Sequence, residues 1–484
     1  MIEIQFGAAE ARAIAPFAIL CLFAIGILLY ETFFPDNDRG PELPFWFSIL
    51  GLAGAGIASL VGWTDGAAAY GGTFGIDGVA VFTNMVCILA AGLSLMMGVH
   101  YMDQIGVRAR EFHPLVLFAV SGMLLMGGAR DLIVLFLGVE VMSLPAYVLA
   151  GIRRQDPKSG EAALKYFLLG AFATSFLLYG IALLYGATGT TSYAGIAAAL
   201  GEAPRLSVLA GIGMLIVALG FKVGVVPFHF WAPDVYQGAP TNVTALMAVG
   251  VKAAAVVGTA RLFLTALGGL HVDWSTVLWW IAVATMTLGN FVAISQNNVK
   301  RMLAYSSVAH AGYLLAAIAA GTSRGGGAVL FYLLTYAFMN LGAFAVVIAV
   351  GARDEPNEQL SDFAGLGSRQ PLLGGAMVLF LFSLMGIPPL AGFVGKLYII
   401  EALVHSGLVW LSVILILNSV VSGYYYLRVI VEMFMRDPTG DAPEPEPRPY
   451  LMACVFLALV GTVFFGIFPD SALDAARDSF AALR

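Results

Sequence analysis

Apolar stretches of about 20 residues recur along the whole chain with short polar breaks, and about 20 residues is what a helix needs to cross a ~30 Å hydrocarbon layer. Fourteen can be marked, at 13–34, 44–62, 78–101, 113–129, 131–151, 162–186, 206–229, 240–268, 274–295, 302–321, 327–350, 371–404, 408–434 and 450–468. Of the 484 residues, 60% are hydrophobic and 11% charged, with a mean hydropathy of +0.88. That exceeds what a soluble core can hide. The chain therefore reads as one all-α integral membrane bundle.

Other classes fall away on composition. A net charge of −6 offers no basic face for nucleic acid. Cys21, Cys87 and Cys454 sit in apolar runs without a Cys-x-x-Cys spacing, so disulfide, zinc and iron–sulfur readings lack their ligands. Gly51, Gly54 and Gly56 fall inside an apolar span and read as helix-packing glycines. The first span follows Glu3, Glu10 and Arg12 and is too long for a signal h-region, so it is expected to stay as a helix.

Orientation follows from the 24 Lys and Arg residues. Fourteen crossings place twelve on one side, Arg39, Arg108 and Arg353 among them, and six on the other, including Arg484, with six inside spans. The richer side is expected to be cytoplasmic, leaving both termini outside. The only sizeable hydrophilic stretches are 351–370 and the Pro-rich 435–449.

Two spans are interrupted alike. VALGFKVGVVPFHFWAPDVYQGAP and FLFSLMGIPPLAGFVGKLY each gather Gly, Pro and Lys at membrane depth, which predicts discontinuous seventh and twelfth helices. Pro227 and Pro388 are 161 positions apart, and the same shift carries the span near 113 onto that near 274. This suggests two five-helix repeats, 113–268 and 274–434, flanked by 1–112 and 450–484. Because five is odd, the repeats must be inverted in the membrane. Prolines that merely kink packed helices are the alternative.

Ionisable groups at this depth cost roughly 2.5–3.5 kcal/mol each on insertion scales. Glu140 lies mid-span, Lys222 and Lys396 at the two breaks, Lys252 inside the eighth span and His310 inside the tenth. Snorkelling, a static ion pair or, for His310, a packing histidine would be the structural explanations. Lys165 follows Glu161 by one turn and reads as interfacial. His229 and Asp234 could mark a cytoplasmic entrance or anchor the interface with Trp231. Of Tyr424, Tyr425 and Tyr426, near Arg428, one is expected to point inward.

Burial disfavours an ammonium and a nearby carboxylate favours it, so changing the approach of Glu140 to Lys222 would load or unload a proton. Moving one charge against ~150–200 mV costs about 3.5–4.6 kcal/mol, or roughly 2.5–3.4 pKa units. Burial plus pairing can supply that. The magnitudes permit a proton pump with Lys252 and Lys396 as relay stations. The carboxylates are too scattered for an all-oxygen metal cage, while sodium bound to unwound carbonyls at Gly224 or Gly386 stays open.

The segments FLGVEVMSLPAYVLAG, GFKVGVVPFHFWAPDVYQGAPTNVTALM, NVKRMLAYSSVAHAGY and GIPPLAGFVGKLYI resemble the antiporter-like membrane subunits of respiratory complex I, the NADH:quinone oxidoreductase, and their cation/proton antiporter relatives. The likeness runs from about residue 70 to 435. It implies fourteen helices, inverted repeats on broken seventh and twelfth helices, and a polar axis that carries protons in the bacterial inner membrane. Glu140 then matches the family's glutamate, Lys222 its partner, Lys252 the central lysine and Lys396 the terminal residue near the exit. Lys165 matches a lysine that modulates the pair, and His229 and His310 match polar-axis positions. Lysine at the twelfth-helix position departs from M-type subunits, and the absence of a long lateral helix departs from L-type, leaving the N-type branch.

The resemblance implies a non-redox subunit of a translocase, with no cofactor in this chain. FMN, iron–sulfur clusters and quinone belong to partner subunits. The implied neighbours are lipids and the other membrane subunits, including the M-type and small K-type ones. A subunit of a multisubunit cation/proton antiporter is the rival function, and a static scaffold the third.

Overall fold

A computed structural model describes residues 7–34, 42–63, 68–107, 110–351, 358–438 and 448–483. Glu3, Arg39, Arg108, Arg353, Arg484 and most of the Pro-rich 435–449 lie outside the described residues. In chain order the helices are α1 (Ala8–Phe33), α2 (Glu42–Trp63), α3 (Gly78–Gln104), α4 (Phe112–Gly128), α5 (Leu132–Ala150), α6 (Pro157–Thr188) and the short α7 (Tyr193–Ala199). Then come α8 (Arg205–Val223), α9 (Trp231–Gly238), α10 (Thr241–Leu246), α11 (Lys252–Leu264), α12 (His271–Ile294), α13 (Val299–Ala319) and α14 (Ser323–Val350). The chain continues through α15 (Leu366–Arg369), α16 (Pro371–Met385), α17 (Ala391–His405), α18 (Val409–Met435), α19 (Pro449–Ile467) and α20 (Asp470–Ala481).

Among the described residues, twelve helical segments are long and apolar enough to cross a membrane. The other two expected crossings are α4, with 17 residues, and α16 joined to α17, with 15 residues each. Helix starts are written locally. Asp77 accepts from the Ala80 amide, Asp131 from Ile133, Asp156 from Lys158 and Asn298 from Arg301, each satisfying a donor that a helix N-terminus leaves unpaired. The second span packs as its glycines suggested, since a Cβ on Gly51 would fall 2.9 Å from Phe23.

Both expected breaks are present, with matching geometry. Gly224 (φ 80, ψ 45) ends α8 and Gly386 (φ 92, ψ 46) ends α16, each in the left-handed region. At the first, Gly224 N donates to Phe221 O and Val225 N to Gly220 O; at the second, Gly386 N donates to Ser383 O and Ile387 N to Phe382 O. These are Schellman caps, which close a helix and turn the chain away.

Four features escape the periodicity. A hairpin of two-residue strands, β1 (Ala68–Ala69) and β2 (Phe74–Gly75), precedes α3. A π-helical turn, Met247–Val251, separates α10 from α11. The expected tail is the amphipathic helix α20, which buries Leu473, Ala476 and Phe480 and sets Phe480 over Gly326 of α14, where a Cβ would meet its ring at 2.5 Å. Finally, two of the three consecutive tyrosines point inward instead of one. Tyr425 and Tyr426 are 1% and 0% exposed, against 62% for Tyr424, because the interior covers about half of the circumference of α18 at this level.

Candidate proton-relay site

Glu140 is the ninth residue of α5, and Ser143 and Tyr147 follow it at the i+3 and i+7 positions of the same face. That face meets α8 and α6. The Lys222 ammonium donates to Ser143 Oγ at 2.8 Å and to Tyr147 Oη at 2.9 Å, and stands 5.1 Å from the Tyr147 ring centre, 5.8 Å from that of Tyr166 and 5.7 Å from that of Phe221. Glu140 is half-buried and accepts from Thr174 Oγ1 at 2.7 Å. Among the described residues no ion pair joins Glu140 to Lys222. The hydroxyls of Ser143 and Tyr147 occupy the ammonium instead.

Lys252 opens α11 directly after the π turn. Such turns occur inside α-helices, frequently at functional sites. Its ammonium donates to the backbone oxygen of Ser307 at 2.5 Å and to the hydroxyl of the same residue. The hydroxyls of Tyr236 and Tyr336 interact with that of Ser307. One turn further along α13, His310 Nδ1 lies 2.6 Å from Tyr332 Oη and Nε2 lies 3.3 Å from Tyr426 Oη. Tyr426 also shares a hydrogen bond with Ser306. His310 is within electrostatic range of both Lys252 and Lys396.

Lys396 crosses back over the second break. Its ammonium donates to the carbonyls of Leu384 at 2.9 Å and Met385 at 2.8 Å and to Ser419 Oγ at 2.7 Å. The two carbonyls end α16, where a helix leaves acceptors unpaired and its dipole is negative. The Tyr313 ring centre is 5.2 Å away. At the first break the corresponding service is performed by Trp231, whose Nε1 donates to Phe221 O at 3.0 Å.

Lys222, Lys252 and Lys396 are 3–4% exposed, and among the described residues none of the three meets a carboxylate. Each has at least one hydroxyl partner. A hydroxyl accepts from an ammonium and can also donate to a neutral amine, so both protonation states keep a hydrogen bond. From Tyr147 an aromatic series leads on through Tyr166 at 4.7 Å and Trp231 at 4.6 Å to Tyr236 at 5.8 Å. It spans the distance from the Lys222 pocket to Ser307.

The remaining sequence candidates lie apart from this axis. Lys165 contacts Glu161 Oε1 at 2.5 Å, as the spacing suggested, and also Asp234 Oδ2 at 2.8 Å. Asp234 Oδ1 is 2.8 Å from Arg301, so α6, α9 and α13 are tied by one carboxylate. Burial pushes the Asp234 carboxyl up, but Lys165 and Arg301 outweigh it and hold it below the usual carboxylate range. His229 lies in the break itself, close to the Pro227 backbone. Arg428 donates to Gln296 O at 3.1 Å and to Asn297 Oδ1 at 2.6 Å, closing the end of α12.

Ser143, Tyr147, Ser307, Tyr332 and Ser419 were not singled out in the sequence, and Tyr426 only as one of three adjacent tyrosines. Their signal is positional. Ser307, His310 and Tyr313 share one face of α13 at three-residue spacing, as Glu140, Ser143 and Tyr147 share one of α5 at intervals of three and four, and polar stripes of this kind on an apolar helix must face a partner.

The family described as NADH:quinone oxidoreductase/Mrp antiporter, transmembrane, matches residues 129–422. A relative from Trichlorobacter lovleyi named NADH-quinone oxidoreductase subunit N is 45% identical over 98% of each chain. One of the same name from Chloroflexus aggregans is 43% identical, again over 98% of each. Among solved structures, a chain of respiratory complex I from Thermus thermophilus with bound Aureothin has 36% identity and a TM-score of 0.82, covering 95% of this chain and 99% of that one. A chain of the Mrp complex from Dietzia sp. shares the fold at 23% identity, with a TM-score of 0.86, over 98% of this chain and 97% of that one.

Proposed function

The chain belongs to the NADH:quinone oxidoreductase/Mrp antiporter transmembrane family, and on that footing we propose that it moves protons through the Glu140, Lys222, Lys252, His310 and Lys396 axis while quinone is reduced elsewhere in the complex. It is a multi-pass membrane subunit of NADH:quinone oxidoreductase and sits among the other membrane subunits. The observation that carries the mechanism is the trio of deeply buried lysines held by hydroxyls and carbonyls rather than carboxylates.

In this reading Glu140 and Lys222 are the switch. With Glu140 held by Thr174 the pair is open, and closure would bring a carboxylate to the ammonium and change its hold on a proton. Lys252 passes the proton through Ser307 and His310, and Lys396 releases it outward. Lys165 sets the position of α6 against α9 through Asp234, and His229 lines the entrance. The helices group as two inverted units, 113–268 and 274–434. Both termini face the periplasm, the membrane is the bacterial inner membrane, and the chain itself carries no redox centre. FMN, iron–sulfur clusters and quinone reside in partner subunits; the neighbours include the M-type and K-type subunits.

The antiporter alternative has less support. The Mrp chain is like this one in fold at 23% identity, whereas the relatives at 43–45% are named as subunits of the oxidoreductase. Detergent extraction separates the two, since co-purification with flavin and iron–sulfur subunits is expected. The relay itself is tested by reconstituting the assembled complex with Lys222→Ala or Lys252→Ala. Loss of proton pumping is expected; a full proton-to-electron ratio in either would leave a static scaffold.

A further inference from the structure

A second buried charge cluster lies at the far end of α11 from Lys252. Arg261 is 1% exposed. Its Nη1 donates to Asp77 Oδ2 at 2.7 Å and its Nη2 to Asp77 Oδ1, the bidentate arrangement that guanidinium and carboxylate favour. Arg130 donates to the same Asp77 Oδ2 at 2.9 Å. The hairpin makes room for it, since a Cβ on Gly75 would fall 2.1 Å from Arg130 Nε. The neighbouring Asp131 is taken up by the Ile133 amide and by Thr191 Oγ1. With the Asp131 carboxylate beside them, Arg261, Arg130 and Asp77 form a cluster of no net charge in which Arg261 is the most deeply buried cation.

This cluster is placed where the bundle most needs closing. It sits where α11 and α4 end and α3 and α5 begin, on the outward face in the orientation proposed above. Among the described residues Arg261 Nε and the Tyr193 hydroxyl are both buried there without a hydrogen-bond partner, and unsatisfied polar atoms draw water. A hydrated opening at this point would let protons that reach Lys222 and Lys252 escape before Lys396. A guanidinium stays protonated and has no acceptor, so it cannot pass a proton on, and its buried charge repels an incoming one. The outward end of α17 is different. There Glu401 offers a half-exposed carboxylate beside Arg477 and His405, a suitable acceptor for a departing proton.

We infer that Arg261, clamped by Asp77, is an electrostatic seal that shuts the outward end of the first helix group and commits protons to Lys396. The inference rests on the relay reading above. Its test is the resting proton leak of the assembled, reconstituted complex, measured as decay of an imposed pH gradient without NADH. Arg261→Met leaves Asp77 its Arg130 partner, and the gradient is expected to decay about ten-fold faster, equivalent to about 1.4 kcal/mol. Arg261→Lys keeps the charge and should hold the gradient as the native complex does.

Should Arg261→Met fail to assemble, Arg261→Met with Asp77→Asn removes the pair without stranding a buried charge and is expected to show the same leak. Adding Lys252→Ala to the leaky variant should stop the excess leak. A native decay rate in the assembled neutral variants, or a leak that survives Lys252→Ala, overturns the seal. Pumping retained by Lys252→Ala alone overturns instead the relay on which it rests.

Discussion

Tyr147 and Lys222 meet across the α5 and α8 interface, with the ammonium 2.9 Å from the phenol oxygen and 5.1 Å from the ring centre. The tyrosine therefore holds the lysine through its hydroxyl, at the edge of the ring. Tyr147→Phe removes that hold. A hydrogen bond to a charged group contributes about 1.5–3 kcal/mol, so pumping at saturating NADH is expected to slow by roughly ten-fold or more in fully assembled complex. Tyr147→Phe with native pumping rates would mean that Ser143 alone suffices.

Lys396 has two tasks that substitution can separate. It satisfies the carbonyls of Leu384 and Met385, and it is proposed to release protons. Arginine can do the first but does not deprotonate. Lys396→Arg is expected to assemble and to lose pumping, whereas Lys396→Met should also lower the yield of assembled complex, since a buried unpaired acceptor costs about 1–3 kcal/mol. Subunit content by gel and pumping in vesicles distinguish the two.

His310 is gripped by Tyr332 and Tyr426 through its two ring nitrogens. Each ring nitrogen answers to the tautomer set by the other. Tyr332→Phe and Tyr426→Phe should therefore be non-additive, with a coupling of about 0.5–3 kcal/mol in the pumping barrier. A double variant whose loss equals the sum of the single losses would show that the histidine is not a shared node.

The two cap glycines should respond differently to alanine. Both positions are left-handed, a cost of roughly 1–2 kcal/mol for any other residue. Among the described residues a Cβ on Gly224 meets nothing within 4 Å, but one on Gly386 falls 3.3 Å from Lys396 Nζ. Gly224→Ala is expected to lower thermal stability alone, and Gly386→Ala to lower stability and pumping together.

Asp234, in the connector between α8 and α10, sets a pH expectation. Its folded carboxyl lies below the ordinary value because Lys165 and Arg301 outweigh burial. A depressed carboxylate stabilises the fold above its ordinary value and loses that contribution as pH falls through the folded value. Between about pH 5.5 and 8 the contribution is constant, so Asp234→Asn should lower the melting temperature equally at both ends of that range. A penalty that shrinks toward pH 5.5 would contradict the assignment.

The spans and both breaks could be read from sequence because they depend on apolar length and on Gly and Pro, which act locally. Glu140, Lys222, Lys252, His310 and Lys396 stood out because ionisable groups in an apolar helix are costly. Their partners were not legible for the opposite reason: Ser143, Ser307 and Ser419 cost little in a helix, and a serine gains a role only when another helix brings an ammonium to it. Arg261 and Asp77 are 184 residues apart in sequence, and no local pattern relates them. The direct Glu140 to Lys222 contact, natural from charge alone, is replaced because the hydroxyls of α5 stand nearer to α8.

The π turn at Met247–Val251 leaves the backbone ahead of Lys252 with one residue of slack. Taking up that residue as ordinary helix would rotate everything beyond it by about 100°. The amine would then swing off Ser307 as a spoke turns with its axle, with no change of rotamer. A winding state of the main chain, rather than a side-chain motion, can thus decide which neighbour Lys252 addresses.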